Sequence, residues 1–366
     1  MNCIVGRMGF KDAFKQIIKD LIKFFLIVTS YCSGGIFKKY TIESNRLLFV
    51  RFDGLGDTLI FLYYLVPWLK REQKQADCIV NSKWVSALRL FNKEGVINFI
   101  PFDRDHPIVS SKRIFDKRIK WLNAYIPNAT PDLYEVYILC KLGKNIHSLP
   151  ISNANISSAF FNFIYPKGEI LNNCKRFNNE FDYLEGFFKV SPDNGWFSNI
   201  IRPCELGYDS YMIVCPNSSD PRKDPSIRQI VQLARDIIKS SGINLIIVVG
   251  TQENSKLIDL LKGFNIQVID LVNKLDLYNA ISLCSNANLF LGADTGLAHA
   301  AILSNIKSYV FFGNLHGSWY IPPKDRFMNL TPVRRSDVQC GPCNYNCMFP
   351  LTSDGKFRCI GVPHEK

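Results

Sequence analysis

The sequence has no low-complexity segment and no short-period repeat, which excludes solenoid and linker-dominated architectures. It lacks an apolar stretch suited to crossing a bilayer. FFLIVTSYCSGGIF (residues 24–37) is broken by Ser and Gly and falls short of the roughly 20 residues that a span needs. The two commonest nucleotide fingerprints are missing: there is no G-x-x-x-x-G-K-[ST], and no G-x-G-x-x-G after a strand. No Lys/Arg-rich block carries interleaved aromatics, and no zinc-finger or helix-turn-helix spacing occurs, so nucleic acid is not an expected partner. The N-terminus lacks the charged start, clean apolar core and small-residue cleavage site of a secretory signal. A cytoplasmic protein is therefore expected. Its twelve cysteines include eight scattered singly (Cys3, Cys32, Cys78, Cys140, Cys174, Cys204, Cys215 and Cys284), as a reducing compartment tolerates.

What is present suits a globular chain. The 366 residues are 47% apolar and 21% charged, enough for two domains of about 150 residues each. The formal net charge of +12 favours polyanionic partners such as nucleotide phosphates or an anionic membrane surface. Residues 1–44 read as an extension: Lys11, Lys15, Lys19 and Lys23 share one helical face, with Phe10, Phe14, Ile17, Ile18, Leu21 and Phe25 on the other. Such a basic amphipathic helix can lie in an anionic headgroup layer or pack on its own domain; the former reading makes the protein peripheral at the inner membrane face.

From residue 45 strand and helix patterns alternate. RLLFV is a strand, RFDGLGD a loop and TLIFLYYLVPWLKRE a helix with Pro67 as an expected kink. DCIVNS and GVINFIPF are further strands flanking a helix KWVSALRLFN, which implies parallel βαβ units. Residues 120–205 show weak periodicity, with NEFDYLEGFFKV as a helix and a linker expected at residues 202–207. The second half repeats the strand–helix unit through SYMIVCP, NLIIVVG, IQVIDLV, ANLFLGA and KSYVFFG, a doubly wound parallel sheet.

In such sheets ligands bind beyond the carboxyl ends of the strands. Three loops of the second half lie there: residues 215–225, with Asn217, Ser218, Arg222 and Lys223; residues 250–254, with Gln252 and Glu253; and residues 292–299, GADTGLAH. Amides at Thr295, Gly296 and Leu297 opening a helix, with a cation from Lys223 or Arg222, suit a diphosphate. Asp294 also has a simpler reading as an N-cap. The first half differs. In the loop around Arg51, Gly54 and Gly56, an aspartate follows the second glycine and would repel phosphate. Asp57 instead suits a hydroxyl, kept ionised by the helix dipole and amides so that it accepts a proton as general base. Its simpler reading is an N-cap for Thr58 onward.

VRFDGLGDTLIFLYYLVPWLK and FLGADTGLAHAAILSN, with the later FFGN, resemble the paired signatures of the family-nine glycosyltransferases, the lipopolysaccharide heptosyltransferases, over about residues 45–360. The resemblance implies a GT-B fold: two Rossmann-like parallel-sheet domains facing across a cleft, the acceptor held by residues 45–205 and the nucleotide-sugar donor by residues 206–330, with a Cys-rich tail at 331–366. It makes Asp57 the base and Lys223 the lysine at the donor phosphates, although Asp224–Pro225 replaces the family's aromatic-proline pair. Asp294 and its loop match the donor site, Gln252 and Glu253 compete for an acidic position, and Asn314 stands where a hydroxyl residue is common. The implied reaction is an inverting, metal-independent transfer, from ADP-heptose by family expectation, onto a glycolipid or oligosaccharide acceptor. Asp103-Arg104-Asp105 looks like a metal-binding D-x-D but reads as a solvated loop, and His299 reads as structural. Cys340, Cys343, Cys347 and Cys359 form one candidate structural zinc set, off the paired C-x-x-C spacing; no other cofactor is implied. An epimerase of the same fold and a non-catalytic nucleotide-binding protein are the alternative readings.

Overall fold

The computed structural model describes residues 40–92, 95–128, 132–148, 179–193, 195–201, 208, 210–312, 321–333 and 350–360. The expected basic helix, the linker at 202–207, Asn314, and Cys340, Cys343 and Cys347 lie outside them. Among the described residues no helix is long and apolar enough to cross a membrane.

Among the described residues two six-stranded parallel sheets carry the architecture. The first has β1 (Thr41–Glu43), β2 (Arg46–Arg51), β3 (Gln75–Asn81), β4 (Ile97–Phe102), β5 (Ile119–Ile126) and β6 (Gly143–Ser148), in the order β1-β5-β2-β3-β4 with β6 also paired to β5. Because Thr41, Ile42 and Glu43 pair with Ile119, Lys120 and Trp121, the sheet begins ahead of residue 45 and takes in the end of the expected extension. The second sheet has β7 (Met212–Cys215), β8 (Leu245–Val248), β9 (Gln267–Asp270), β10 (Leu289–Ala293), β11 (Lys307–Phe311) and β12 (Leu330–Val333), in the order β12-β11-β10-β7-β8-β9.

Strand β2 shows why the run RLLFVR is apolar nearly throughout. Successive side chains face opposite sides of a sheet. Leu47 and Phe49 enter one core and Leu48 and Val50 another, so both faces are covered. Strand β7 does the same, with Ile213 and Cys215 on one side and Met212 and Val214 on the other. The core reached by Leu47, Phe49 and Ile213 is shared: it lies between the two sheets and joins their halves.

Two helices fill that shared layer. Helix α1 (Leu55–Arg71) follows β2 and is buried from Leu59 to Val66; Pro67 sits inside it and the helix runs on for another turn. It starts at Leu55, so the expected loop is shorter than RFDGLGD: the strand takes Arg51 and the helix takes Leu55 to Asp57. The expected helix KWVSALRLFN instead breaks into short 3-10 and α turns across residues 82–92, opened by Asn81 Oδ1 accepting from the Lys83 amide. Helices α2 (Pro107–Phe115) and α3 (Leu133–Leu142) cover the other face of the first sheet, and α4 (Glu180–Phe188) and α5 (Trp196–Ile200) pack into the shared layer. In the second half come α6 (Ile227–Ser241), α7 (Ser255–Lys262), α8 (Leu277–Ser285) and α9 (Gly296–Leu303). Helix α6 runs from a Ser226–Gln229 capping box to a left-handed Gly242.

Candidate active site

The starts of α1 and α9 meet. A Cβ on Gly56 would stand 2.5 Å from His299 Cδ2, and one on Gly296 2.6 Å from Leu55 Cδ2. The two glycines therefore let the helix starts of opposite halves touch. Beside this contact, at the carboxyl ends of β2, β7 and β10, lies a cavity of about 370 Å3. The first half gives it Gly54, Leu55, Gly56 and Asp57; the second gives it Ser219, Lys223, Asp294, Thr295, Gly296 and His299.

On the second side, Thr295 is the N-cap of α9 and its hydroxyl accepts from the Ala298 amide at 3.2 Å. Asp294 is thus not the cap. It reaches Lys223 Nζ at 3.6 Å and His299 Nε2 at 3.4 Å, so His299 sits in the cavity wall, bonded to the loop. Gly292 lets β10 lie against β7, since a Cβ there would come within 2.3 Å of the Cys215 carbonyl oxygen. Asp224, where the resemblance implied an aromatic, is buried and organises the loop before it: Oδ1 accepts from the Ser218 amide at 2.6 Å and Oδ2 from Asn217 Nδ2 at 3.2 Å. Residues 350–360 hold the same loop from outside. The Phe357 amide donates to the Arg222 carbonyl at 2.9 Å, Lys356 Nζ donates to the Pro221 carbonyl at 2.7 Å, and the Phe357 ring is buried.

On the first side, Gly54 caps α1 without a side-chain bond, and Asp57 stands in the first turn. Its carboxylate is therefore not the cap of this helix. It retains some surface at the cavity. The expectation that helix dipole and amides keep it ionised meets a stronger effect. Burial pushes the Asp57 carboxyl well above the ordinary carboxylate range; Glu180 and Asp53 push the same way, while Arg51 and His299 pull back. Arg51 does not line the cavity. It is 3% exposed at the end of β2, where it ion-pairs with Glu180, meets Asp53 at 3.0 Å through Nε and donates from a terminal nitrogen to the Pro127 carbonyl at 2.9 Å.

The structure thus brings Gly54, Gly56, Asp57, Lys223, Asp294, Thr295 and Gly296 to one cavity. Asn217, Ser218 and Leu297 lie close by in chain but outside its wall, and Gln252 and Glu253 are exposed and do not line it. Ser219, Leu55 and His299 are wall residues that the motif reading had not placed there. Asp103 and Asp105 stay in a surface turn, Asp105 meeting Lys83 at 3.0 Å. Among the described residues no cluster of His, Cys, Asp and Glu is arranged to hold a metal, and Cys359 is buried.

Residues 193–325 match the family model of glycosyltransferase family 9 (heptosyltransferase). That stretch is similar to the family-nine glycosyltransferase domain. No curated protein matches the chain in sequence. Among solved structures, Escherichia coli heptosyltransferase WaaC with ADP-2-deoxy-2-fluoro heptose superposes with a TM-score of 0.58 at 14% identity, over 85% of this chain and 97% of WaaC. A family-nine glycosyl transferase from Veillonella parvula gives 0.58 at 13% identity, over 81% and 88%. E. coli ADP-heptose lipopolysaccharide heptosyltransferase II gives 0.55 at 12% identity, over 82% and 93%. The two parallel sheets are the GT-B fold of those enzymes, and the match over residues 193–325 supports glycosyltransferase activity.

Proposed function

We propose that the chain is an inverting, metal-independent glycosyltransferase that moves a sugar from a nucleotide diphosphate onto a glycan hydroxyl. One observation carries the reading: the Asp57 carboxyl of one half and the Lys223–Thr295 turn of the other line a single cavity. In this reading the acceptor hydroxyl enters beside Asp57, which takes its proton as the oxygen attacks the anomeric carbon. Attack comes from the face opposite the leaving group, so the centre inverts. The electron pair of the breaking bond goes to the diphosphate. Lys223 and the first amides of α9 receive that charge, so the chemistry asks for no metal. The relatives' names favour ADP-heptose as donor and a lipopolysaccharide-core glycan as acceptor. The acceptor half is read as residues 45–205 and the donor half as 206–330. A glycolipid acceptor and the net charge of +12 favour work at the cytoplasmic, anionic membrane surface.

The test is Asp57→Asn with ADP-heptose and a heptose-free core glycolipid. Transfer is expected to fall about 10²–10⁴-fold while donor affinity holds. Undiminished transfer removes Asp57 as base, and donor consumed without any acceptor returns the epimerase reading.

A further inference from the structure

Glu180 opens α4, a region of weak sequence periodicity, yet it is 2% exposed. One of its oxygens ion-pairs with the Arg51 guanidinium. The other, Oε2, is buried and meets no N–H or hydroxyl donor. The carboxyl lies within hydrogen-bonding reach of the Asp57 carboxyl. A hydrogen bond between two carboxyls exists only when one of them carries a proton.

We propose that Glu180 is the positioning residue of the Asp57 base, the two carboxyls holding one proton between them. The assignment rests on the glycosyl-transfer reading for its role, though not for its geometry. The surrounding charges favour a single shared proton. Asp53 lies on the same side, and Arg51 is the cation that meets both Glu180 and Asp53. His299 faces Asp57 from α9 and is paired with Asp294, which also meets Lys223. With one guanidinium serving several carboxylates, two adjacent carboxylates, one of them buried, do not both keep their charge. A pair with one proton carries one negative charge and titrates as a unit. Burial raises Glu180 as it raises Asp57, with Arg51 pulling it back. As the acceptor oxygen bonds to the anomeric carbon and the bond to the diphosphate breaks, the hydroxyl proton passes to the pair as its second proton and later leaves to water. Sharing makes Asp57 a stronger base than an isolated surface aspartate, closer to a working pH near neutral.

Carboxyl 13C NMR of the full chain tests this without donor or acceptor. With Asp labelled, one carboxyl should titrate well above its class and vanish in Asp57→Asn. In Glu180→Gln it should titrate about one pH unit or more lower. With Glu labelled, Asp57→Asn should lower the Glu180 midpoint likewise, an arm that stands even where Glu180→Gln does not fold. Unmoved midpoints overturn the proposal. In the transfer assay the acid limb of kcat/KM should shift down in Glu180→Gln with donor affinity unchanged, and an unmoved limb overturns the positioning role. A wild-type chain that transfers no sugar refutes the glycosyl-transfer reading, while the NMR arms still report whether the pair exists.

Discussion

The contact between α1 and α9 makes Gly296→Ala a sharp perturbation. A Cβ at Gly296 would lie 2.6 Å from Leu55 Cδ2 and 2.7 Å from both Leu55 Cβ and Cγ. Turning the leucine does not relieve the clash, because its Cβ is fixed to the backbone. The two helix starts must therefore separate by roughly 0.7 Å to reach ordinary contact. Overpacking of this kind costs about 1–3 kcal/mol. Alanine's better helix propensity returns at most about 1 kcal/mol, and less at the first helical position. A net loss of about 1–2 kcal/mol follows, a Tm lower by about 1–3 °C for a chain of this length. The same separation moves Asp57 away from the Thr295 turn, and misplacement approaching 1 Å costs up to about 100-fold in rate. Thermal and denaturant unfolding read the first effect and donor-dependent turnover the second. A double-mutant cycle with Leu55→Ala, which removes two of the three close atoms, should show coupling of at least about 1 kcal/mol. A Gly296→Ala chain as stable as wild type, or a strictly additive cycle, refutes the interlocked helix starts.

Other perturbations probe separate parts of the site. Lys223→Gln should lower kcat/KM by about 10²–10³ through lost stabilisation of diphosphate charge, measured by steady-state kinetics with the fold checked by circular dichroism. Phe357→Ala empties a buried site against the donor loop; it should cost about 3–5 kcal/mol in denaturant unfolding and weaken nucleotide binding in calorimetry. The pH dependence has a definite sign. Asp57 and Glu180 hold protons more tightly folded than unfolded, so their contribution is full below the ordinary carboxylate range and is lost as pH rises through the raised values. The fall reaches at most about 1.4 kcal/mol per pH unit for each proton, and Asp57→Asn should flatten it in unfolding curves taken across that range.

How far the sequence could be read depended on the range of the forces involved. Strands β2, β7 and β10 announce themselves because each is covered on both faces and so must be apolar at nearly every position. The turns at Gly54–Gly56 and Gly292–Gly296 are legible for a related reason: a close approach excludes side chains locally. What those glycines approach is not legible. Gly56 meets His299 and Gly296 meets Leu55, each across most of the chain. The partner of Arg51 lies 129 residues away, in a stretch with little periodicity, and nothing local in RFDGLGD marks the arginine as buried. Gln252 and Glu253 followed strand β8 in the expected way, yet their exposed loop lies off the cavity wall. Asp224 shows a local departure with a structural cause: a buried carboxylate satisfying Ser218 and Asn217 does the shaping that the resemblance would give to an aromatic.

In the proposed reaction, charge must leave one wall of the cavity and arrive at the other. Asp57 stands on the first wall, and Asp53 and Glu180 gather off the wall around Arg51, which suits the taking of a proton. Lys223 and the start of α9 stand on the second, which suits a departing diphosphate. Such a division works only if the walls keep their spacing, since the field of a fixed charge falls with distance and loses force once water enters. The spacing is set one residue from the chemistry. Gly56, packed on His299, precedes Asp57, and Gly296, packed on Leu55, follows Thr295. Packing and catalysis therefore share the same two helix turns, and a change that loosens the contact at either glycine also changes where the carboxyl stands relative to the cation it works with.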